Sequence, residues 1–485
     1  MKHIYRILFA LITIFTFNSC DDYLDIEPKG YTIPETYNDF ALLLNESSLS
    51  TMDEMGYTIL LTDDAEKTTD PSYPSSSLLS NLSEKNLNYY YFNPGPTFPQ
   101  GQDDGYYVQA YSQIYTYNVV INNIMDVTDA TEESKSVTKA EAMFSRAFNY
   151  FKLVNFYGKA YDPATASTDY GVPIILDEDI NAEYVRNSVE EVYDFIINDL
   201  IEATPLLEDY TLNIFHPTQM SGNLLLSKVY LFKGDYENAL TYANLALEDK
   251  AASPFELQDL TQYYTVKAGW YSRLIDSRTG EPMLDPIDIP ENMYLKTSLY
   301  YFNQTLASDE LMDTYRLNLP EGAVDKREDL YFATDELWTS ETRVYEFPGS
   351  TMYYAVTERN SGMLLSELYL ILAELEARIG SKDKAMEYLD YLRNYRIVGN
   401  EPLVAATNAE ALKIVLDERR REFSFNADFR FQDLKRLNTE SEFAKTVTHT
   451  VDGVDYTLPP NDPRWILPLP HSVIEYNPDI PVYDR

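Results

Sequence analysis

The chain has 485 residues, 38 Lys and Arg against 78 Asp and Glu, a formal net charge of −40 and a single cysteine. That charge repels phosphate backbones and no basic tail offsets it, so nucleic acid is set aside as a partner. A content of 45% hydrophobic and 14% aromatic residues is ample for a core and sets aside disorder, while the lone thiol excludes an intramolecular disulfide.

The first elements are those of an export signal. Lys2, His3 and Arg6 form a basic start, and Ile7 to Phe17 is apolar apart from Thr13 and Thr16. Asn18, Ser19, Cys20 and the pair Asp21-Asp22 follow. The apolar stretch is too short to span a bilayer, which needs about 20 helical residues. Residues 1–19 therefore read as a lipoprotein signal peptide, with Cys20 as the site of lipid attachment. Acyl chains contribute about 0.8 kcal/mol per buried methylene, enough for several of them to hold a globular body on a membrane face. Residues 20–35, with Pro28, Gly30 and Pro34, read as the lipidated tether.

Helical periodicity dominates residues 36–250. Tyr107 to Met125 carries Val108, Tyr111, Ile114, Tyr115, Val119 and Ile121, and Glu141 to Phe156 carries Phe144, Ala147, Phe148 and Phe151 before Gly158. Ser188 with Glu191 three residues later is a capping box, and the helix it opens has Val192, Ile196 and Leu200 on one stripe. The segment from Leu226 through Gly234 and Ala239 to Tyr242 resembles the one from Leu372 through Gly380 and Ala385 to Tyr388. In each, a helix ends at a glycine that permits a left-handed turn, and an alanine further on lets the next helix pack closely. This is the logic of tetratricopeptide-like hairpins, though long irregular stretches stand between the two.

Those stretches are Pro71 to Gly105 and Ala251 to Thr357. Both mix Pro, Gly, Asn and Asp with clustered aromatics, and loops this long in a compact body are usually functional. Leu87 to Phe92 reads as a strand that would expose every second ring. In the second half, residues 251–485, Asn408 is placed to cap a helix running to Phe423, and Trp465 to His471 is held extended by Pro468 and Pro470. Arg419, Arg420 and Arg421 read as a salt-bridged helix face beside Glu418, Glu422 and Asp433 rather than an anion site. No metal centre is predicted: His216, His449 and His471 lack paired spacing, and Asp103-Asp104 or Asp177-Glu178-Asp179 lack a calcium loop. No nucleophile elbow, phosphate loop or His-Glu-x-x-His is present, so no catalytic residues and no cofactor are predicted.

Several segments, taken in order, resemble the SusD/RagB family of outer-membrane nutrient-binding lipoproteins of Bacteroidetes. They are the opening Cys20-Asp-Asp-Tyr-Leu-Asp-Ile-Glu-Pro28, the helix from Ala140 through Arg146 to Gly158 with Gly171-Val-Pro173, Ser308 to Tyr315 with Asp325-Lys-Arg327, and Glu367 to Glu374. Glu418-Arg-Arg-Arg-Glu-Phe-Ser-Phe425 with Arg430 to Arg436 is the most specific, and Leu467-Pro-Leu-Pro470 with Asn477-Pro478 closes the set. Two departures stand out. Asn426 to Phe429 replace the family's glycine and histidine, and Tyr107 stands where the family has tryptophan.

The resemblance implies a mostly α, SusD-like body with tetratricopeptide-like hairpins on one side and long loops forming a ligand-binding face on the other. It implies a place on the outer membrane, facing the cell exterior, as partner to a SusC-like TonB-dependent transporter, with an oligosaccharide or in some members a peptide as ligand. Rings that stack on sugar faces beside carboxylates that bind hydroxyls single out Asp64, Tyr89, Tyr91, Phe98, Tyr106, Trp270 and Tyr301 as candidate contacts. Competing readings are a peptide-binding member of the family, a lipid-anchored glycoside hydrolase, and a helical scaffold without a small ligand.

Overall fold

The computed structural model describes residues 34–52, 55–66, 83–95, 98, 103–177, 184–211, 213–267, 272–282, 286–298, 306–340, 343–353, 359–426 and 428–485. Residues 1–33, where the signal peptide and Cys20 are read, and Trp270 and Tyr301 lie outside the described residues.

The fold is mostly α. Its long helices are α1 (Gly105–Asn123), α2 (Glu132–Tyr157), α3 (Val189–Ala203), α4 (Gln219–Lys233), α5 (Tyr236–Lys250), α6 (Leu365–Ile379), α7 (Lys382–Arg393), α8 (Asn408–Glu422) and α9 (Phe429–Leu437). Helix α2 packs on α1 and α3, α4 on α5, and α6 on α7 and α8. Helix α5 also packs on α6, so the hairpins separated in sequence are stacked in space. The long stretch between them, predicted irregular, is looped out and carries most of the strand structure. Strands β1 (Ala65–Glu66), β2 (Leu306–Ala307), β3 (Phe332–Ser340) and β4 (Arg343–Tyr353) form an antiparallel sheet in the order β1-β2-β4-β3. β5 (Val447–Val451) and β6 (Val454–Leu458) form a separate antiparallel hairpin.

Local chemistry explains the helix ends. Ser188 Oγ accepts from the Glu191 amide at 3.2 Å, and the Glu191 carboxylate accepts from the Ser188 amide at 2.7 Å, the reciprocal cap read from the sequence. Gly234 ends α4 at φ +79°, the left-handed turn expected there. Ala239, Ala243 and Ala246 are fully buried, and Ser227 Oγ donates to the Ala239 carbonyl at 2.8 Å, which shows how closely the hairpin helices approach. Gly380 departs from this pattern. Its φ is −115°, and a Cβ there would stand 2.1 Å from Glu376 Oε2, so the Glu376 side chain would have to move aside for any other residue.

Two further predictions are corrected. Helix α8 is capped by Thr407, whose hydroxyl accepts from the Glu410 amide at 3.1 Å. Asn408 instead serves the neighbouring turn, accepting from the Lys382 amide and donating to the Gly380 carbonyl at 3.1 Å. Leu87 to Phe92 is not a strand. Glu84–Tyr90 is a helix capped by Ser83, so the rings follow a helical period rather than alternating.

Helix α4 reaches the body through Gly222. A Cβ at that position would lie 2.5 Å from Thr204 Oγ1 and 2.8 Å from Thr204 Cγ2. Gly222→Ala gains about 1 kcal/mol in helix propensity against an overpacking cost of about 1–3 kcal/mol. The expected outcome is a net loss of stability, measured as a lower melting temperature; an unchanged or raised value contradicts this packing.

The Arg419-Arg420-Arg421 run is salt-bridged as read, but it lies inside the molecule rather than on a solvated face. Arg419 pairs with Asp433 and Glu367, Arg420 with Asp63, Asp64 and Glu310, and Arg421 with Glu418. Arg327, Arg393, Arg396 and Arg436 extend this buried network through Glu418, Glu422, Glu291, Glu374 and Asp433. It ties α6, α8 and α9 to the looped-out segment. In the altered turn Phe425 takes φ +53°, and Asp428 accepts from the buried Lys152 ammonium at 3.0 Å.

Candidate functional site

The sequence-predicted contacts divide by burial. Asp64 is fully buried and accepts from Arg420 Nε at 2.8 Å. Burial pushes its carboxyl up, against the pull of Arg420. In the adjacent Asp63, burial acts in the same sense, but Arg430, Arg420 and Lys445 outweigh it and hold the carboxyl well below the ordinary range. Asp64 is therefore part of the internal ion network and presents no oxygen to a surface ligand.

Tyr89 is buried with its ring stacked on Tyr57, centroids 4.7 Å apart and 10° between planes. Tyr106 is buried edge-on against Phe156 at 5.2 Å. Neither offers a free face for stacking, which corrects the expectation for both. Tyr107, at the family's tryptophan position, is likewise buried, between Tyr111 and Tyr157. Asp104 caps α1 and accepts from the hydroxyls of Tyr57 at 2.9 Å and Tyr157 at 2.7 Å. Asp103 accepts from the Ser472 amide, so the two carboxylates are engaged within the protein. Among the described residues no His, Cys, Asp and Glu cluster suited to a metal occurs.

Tyr91 and Phe98 remain at the surface, both half-buried. The ring of Tyr91 lies 4.6 Å from that of Tyr456, tilted by 47°. Tyr456 comes from the β5–β6 hairpin, and that hairpin also sends His449 between Tyr90 at 4.2 Å and Phe92 at 4.7 Å. His449 holds position through the Tyr90 and Thr62 carbonyls, and burial pushes its imidazole pKa down. The aromatic end of the short helix is thus pinned from both sides. The signal for Tyr456 was present in the sequence: Asp452-Gly453, at φ +52° and +77°, joins two alternating segments, the signature of a tight hairpin.

Phe98 lies 5.6 Å from the Lys85 ammonium and lines a cleft of about 640 Å³. Leu467, Pro468, Leu469 and Ile474 form its apolar wall, and the buried Arg186 with His471, Asp484 and Arg485 its polar lining. The wall is the predicted extended segment. Its two prolines keep it off the helix, and the Leu467 amide donates to the Phe156 carbonyl at the end of α2, at 2.9 Å. Arg186 is fixed by the carbonyls of Gly171 at 2.8 Å and Pro481 at 3.0 Å, with its guanidinium 5.3 Å from the Tyr483 ring. An apolar wall, a ring and a few oriented polar groups suit a flat ligand with one greasy face and a hydroxylated edge. Asp484 is the sole side-chain carboxylate among the cleft's described lining residues.

The described body is thus helical, with stacked hairpins and an aromatic-edged cleft at its surface. Residues 22–231 match a family model described as "Starch-binding associating with outer membrane", and residues 348–481 match the SusD family model. The chain belongs to the SusD/RagB family. It is 25% identical over 500 residues to SusD-like protein P2 of Formosa agariphila, covering 90% of this chain and 91% of that one. Among solved structures, a putative sugar binding protein from Bacteroides vulgatus aligns with a TM-score of 0.67 at 20% identity, covering 93% of this chain and 99% of that one. A SusD superfamily protein from Bacteroides thetaiotaomicron aligns with a TM-score of 0.66 at 20% identity, covering 93% and 100%.

Proposed function

We propose that this chain is a cell-surface glycan-binding lipoprotein. Held on the outer face of the outer membrane by acyl chains on Cys20, it captures an oligosaccharide and delivers it to a SusC-like TonB-dependent transporter without breaking it. The carrying observation is the Phe98 cleft, which combines a ring and the Leu467–Leu469 wall with the polar groups of Arg186, His471, Asp484 and Arg485. Family membership and the sugar-binding description of the Bacteroides vulgatus relative favour a glycan as the ligand. No described helix is long and apolar enough to cross a membrane, which accords with a lipid tether. Glycoside hydrolysis ordinarily needs two side-chain carboxylates roughly 5–10 Å apart across one cleft, whereas Asp484 is the only Asp or Glu among the described residues that line this one. Binding without cleavage is the reading this favours.

Phe98→Ala and Tyr91→Ala remove half-exposed rings without opening the core. Each is expected to weaken oligosaccharide binding about tenfold, which corresponds to about 1.4 kcal/mol, with the melting temperature nearly unchanged. Titration calorimetry against the ligand found in a glycan panel measures it. Affinities equal to the parent protein's would remove these rings from the site.

A further inference from the structure

Lys296 lies far from the Phe98 cleft in the fold and shares no lining residue with it. It follows the short strand Asn292–Tyr294 and is buried. Its ammonium donates to the Leu49 carbonyl, approaches the Tyr117 hydroxyl at 3.5 Å, and sits 4.7 Å from the centre of the Tyr294 ring. Every one of these partners is neutral, and among the described residues no carboxylate pairs with it. Burial pushes the Lys296 amine down to about 7. An ammonium taken out of water without a counter-ion carries a desolvation penalty, which a bound anion would offset.

The Lys296 side chain does not end against a packed wall. It lines a cavity of about 180 Å³ together with Tyr117, Ser145, Tyr294, Glu141 and His216. That volume holds several waters or one small organic anion. Ser145 Oγ and the Tyr294 hydroxyl are 3.0 Å apart and bond each other, which leaves one hydroxyl proton of the pair for another acceptor. Glu141, the acid facing the same space from α2, is held by His216 Nδ1 at 2.9 Å, while His216 Nε2 is 3.1 Å from Asn45 Oδ1. The imidazole covers this carboxylate; a second acid, the exposed Glu46, lines the same space.

We propose that this cavity is a binding site for a short-chain carboxylate of about the size of acetate, its oxygens paired with the Lys296 ammonium and accepting from the Tyr117 hydroxyl. Lys296 already joins the short helix Ser47–Ser50, through the Leu49 carbonyl, to the segment after Asn292–Tyr294, and the bound anion would sit at that junction. The site is independent of the glycan reading and stands or falls separately from it.

The test is the melting temperature of the intact protein in sodium acetate against sodium chloride, at matched ionic strength and slightly acidic pH. The protein is expected to melt higher in acetate, with a shift that grows with the logarithm of acetate concentration once the site fills. Lys296→Met is expected to lose that excess shift. Tyr117→Phe, which keeps the ring, is expected to weaken acetate binding several-fold, read from the saturable broadening of the carbon-13 acetate signal, and serves also if the Lys296 variant fails to fold. No excess shift in the parent protein, an equal shift in Lys296→Met, or broadening unaltered by Tyr117→Phe would each overturn the proposal.

Discussion

Glu418→Ala is expected to lower the folding stability by about 3–5 kcal/mol, the cost of breaking a buried ion pair by removing one partner. Glu418 is fully buried on α8 and accepts from Arg327 Nη2 at 2.5 Å, Arg393 Nη1 at 2.7 Å and Arg421 Nη2 at 2.5 Å. Burial alone would raise its carboxyl, but Arg421, Arg327 and Arg393 outweigh that and hold it well below the ordinary range. Without this carboxylate, the guanidinium groups face one another across a cavity. Arg327 keeps Asp325 and Glu422, but Arg393 loses its ion-pair partner and is left with Asn400 and the Asn318 carbonyl. Urea unfolding measures the effect. A loss under about 1 kcal/mol, the range of exposed pairs, would mean that water reaches the network.

Acid should unmask the same network at Glu374. Burial would raise this carboxyl, but Arg436 and Arg378 prevail and push it down to about 2. Arg436 donates to both carboxylate oxygens, at 2.7 and 2.8 Å, and Arg378 Nε donates at 2.9 Å. A carboxyl whose folded pKa lies below its unfolded value stabilises the fold above the unfolded value, and that contribution fades as the pH falls through the folded one. The window runs from the ordinary glutamate range down to about 2, and the contribution is on the order of 3 kcal/mol. Asp64 and Glu291, which burial pushes up, act in the opposite sense, so the whole-protein acid curve mixes both. The comparison is therefore with Glu374→Gln. The stability advantage of the parent protein over this variant is expected to shrink by about that amount between neutral pH and the bottom of the window. A pH-independent difference contradicts the assignment.

The legible parts of the fold were those governed by neighbours in sequence. The Ser188–Glu191 cap, the Gly234 turn and the alanine-lined hairpin are decided within a few residues, and the structure has them as read. The stacking of the hairpins depends on α5 meeting α6 after a long excursion, which local spacing does not encode. The arginine run had acidic neighbours at helical spacing, and Glu418 is one of its partners. Arg420, however, pairs with Asp64 at a separation of 356 residues, a match that only the folded chain makes. The candidate site was legible in composition but not in detail. Tyr89 and Tyr91 are two apart, and at the end of a helix that spacing turns one ring into the core and the other toward solvent. Leu467 to Leu469 stood out as a proline-stiffened segment, yet its role as a cleft wall rests on its bond to α2. Lys296 carried no local signal, because its character comes from burial beside Leu49 and Tyr117.

The most direct test of the account is calorimetric titration of the purified mature protein with a panel of oligosaccharides and peptides, with chromatography of each mixture after prolonged incubation. The account predicts saturable heat with at least one oligosaccharide, weakened in Phe98→Ala, and recovery of that sugar at its original length. Shortened sugar in the mixture, or saturable binding of peptide with none of any glycan, would contradict it.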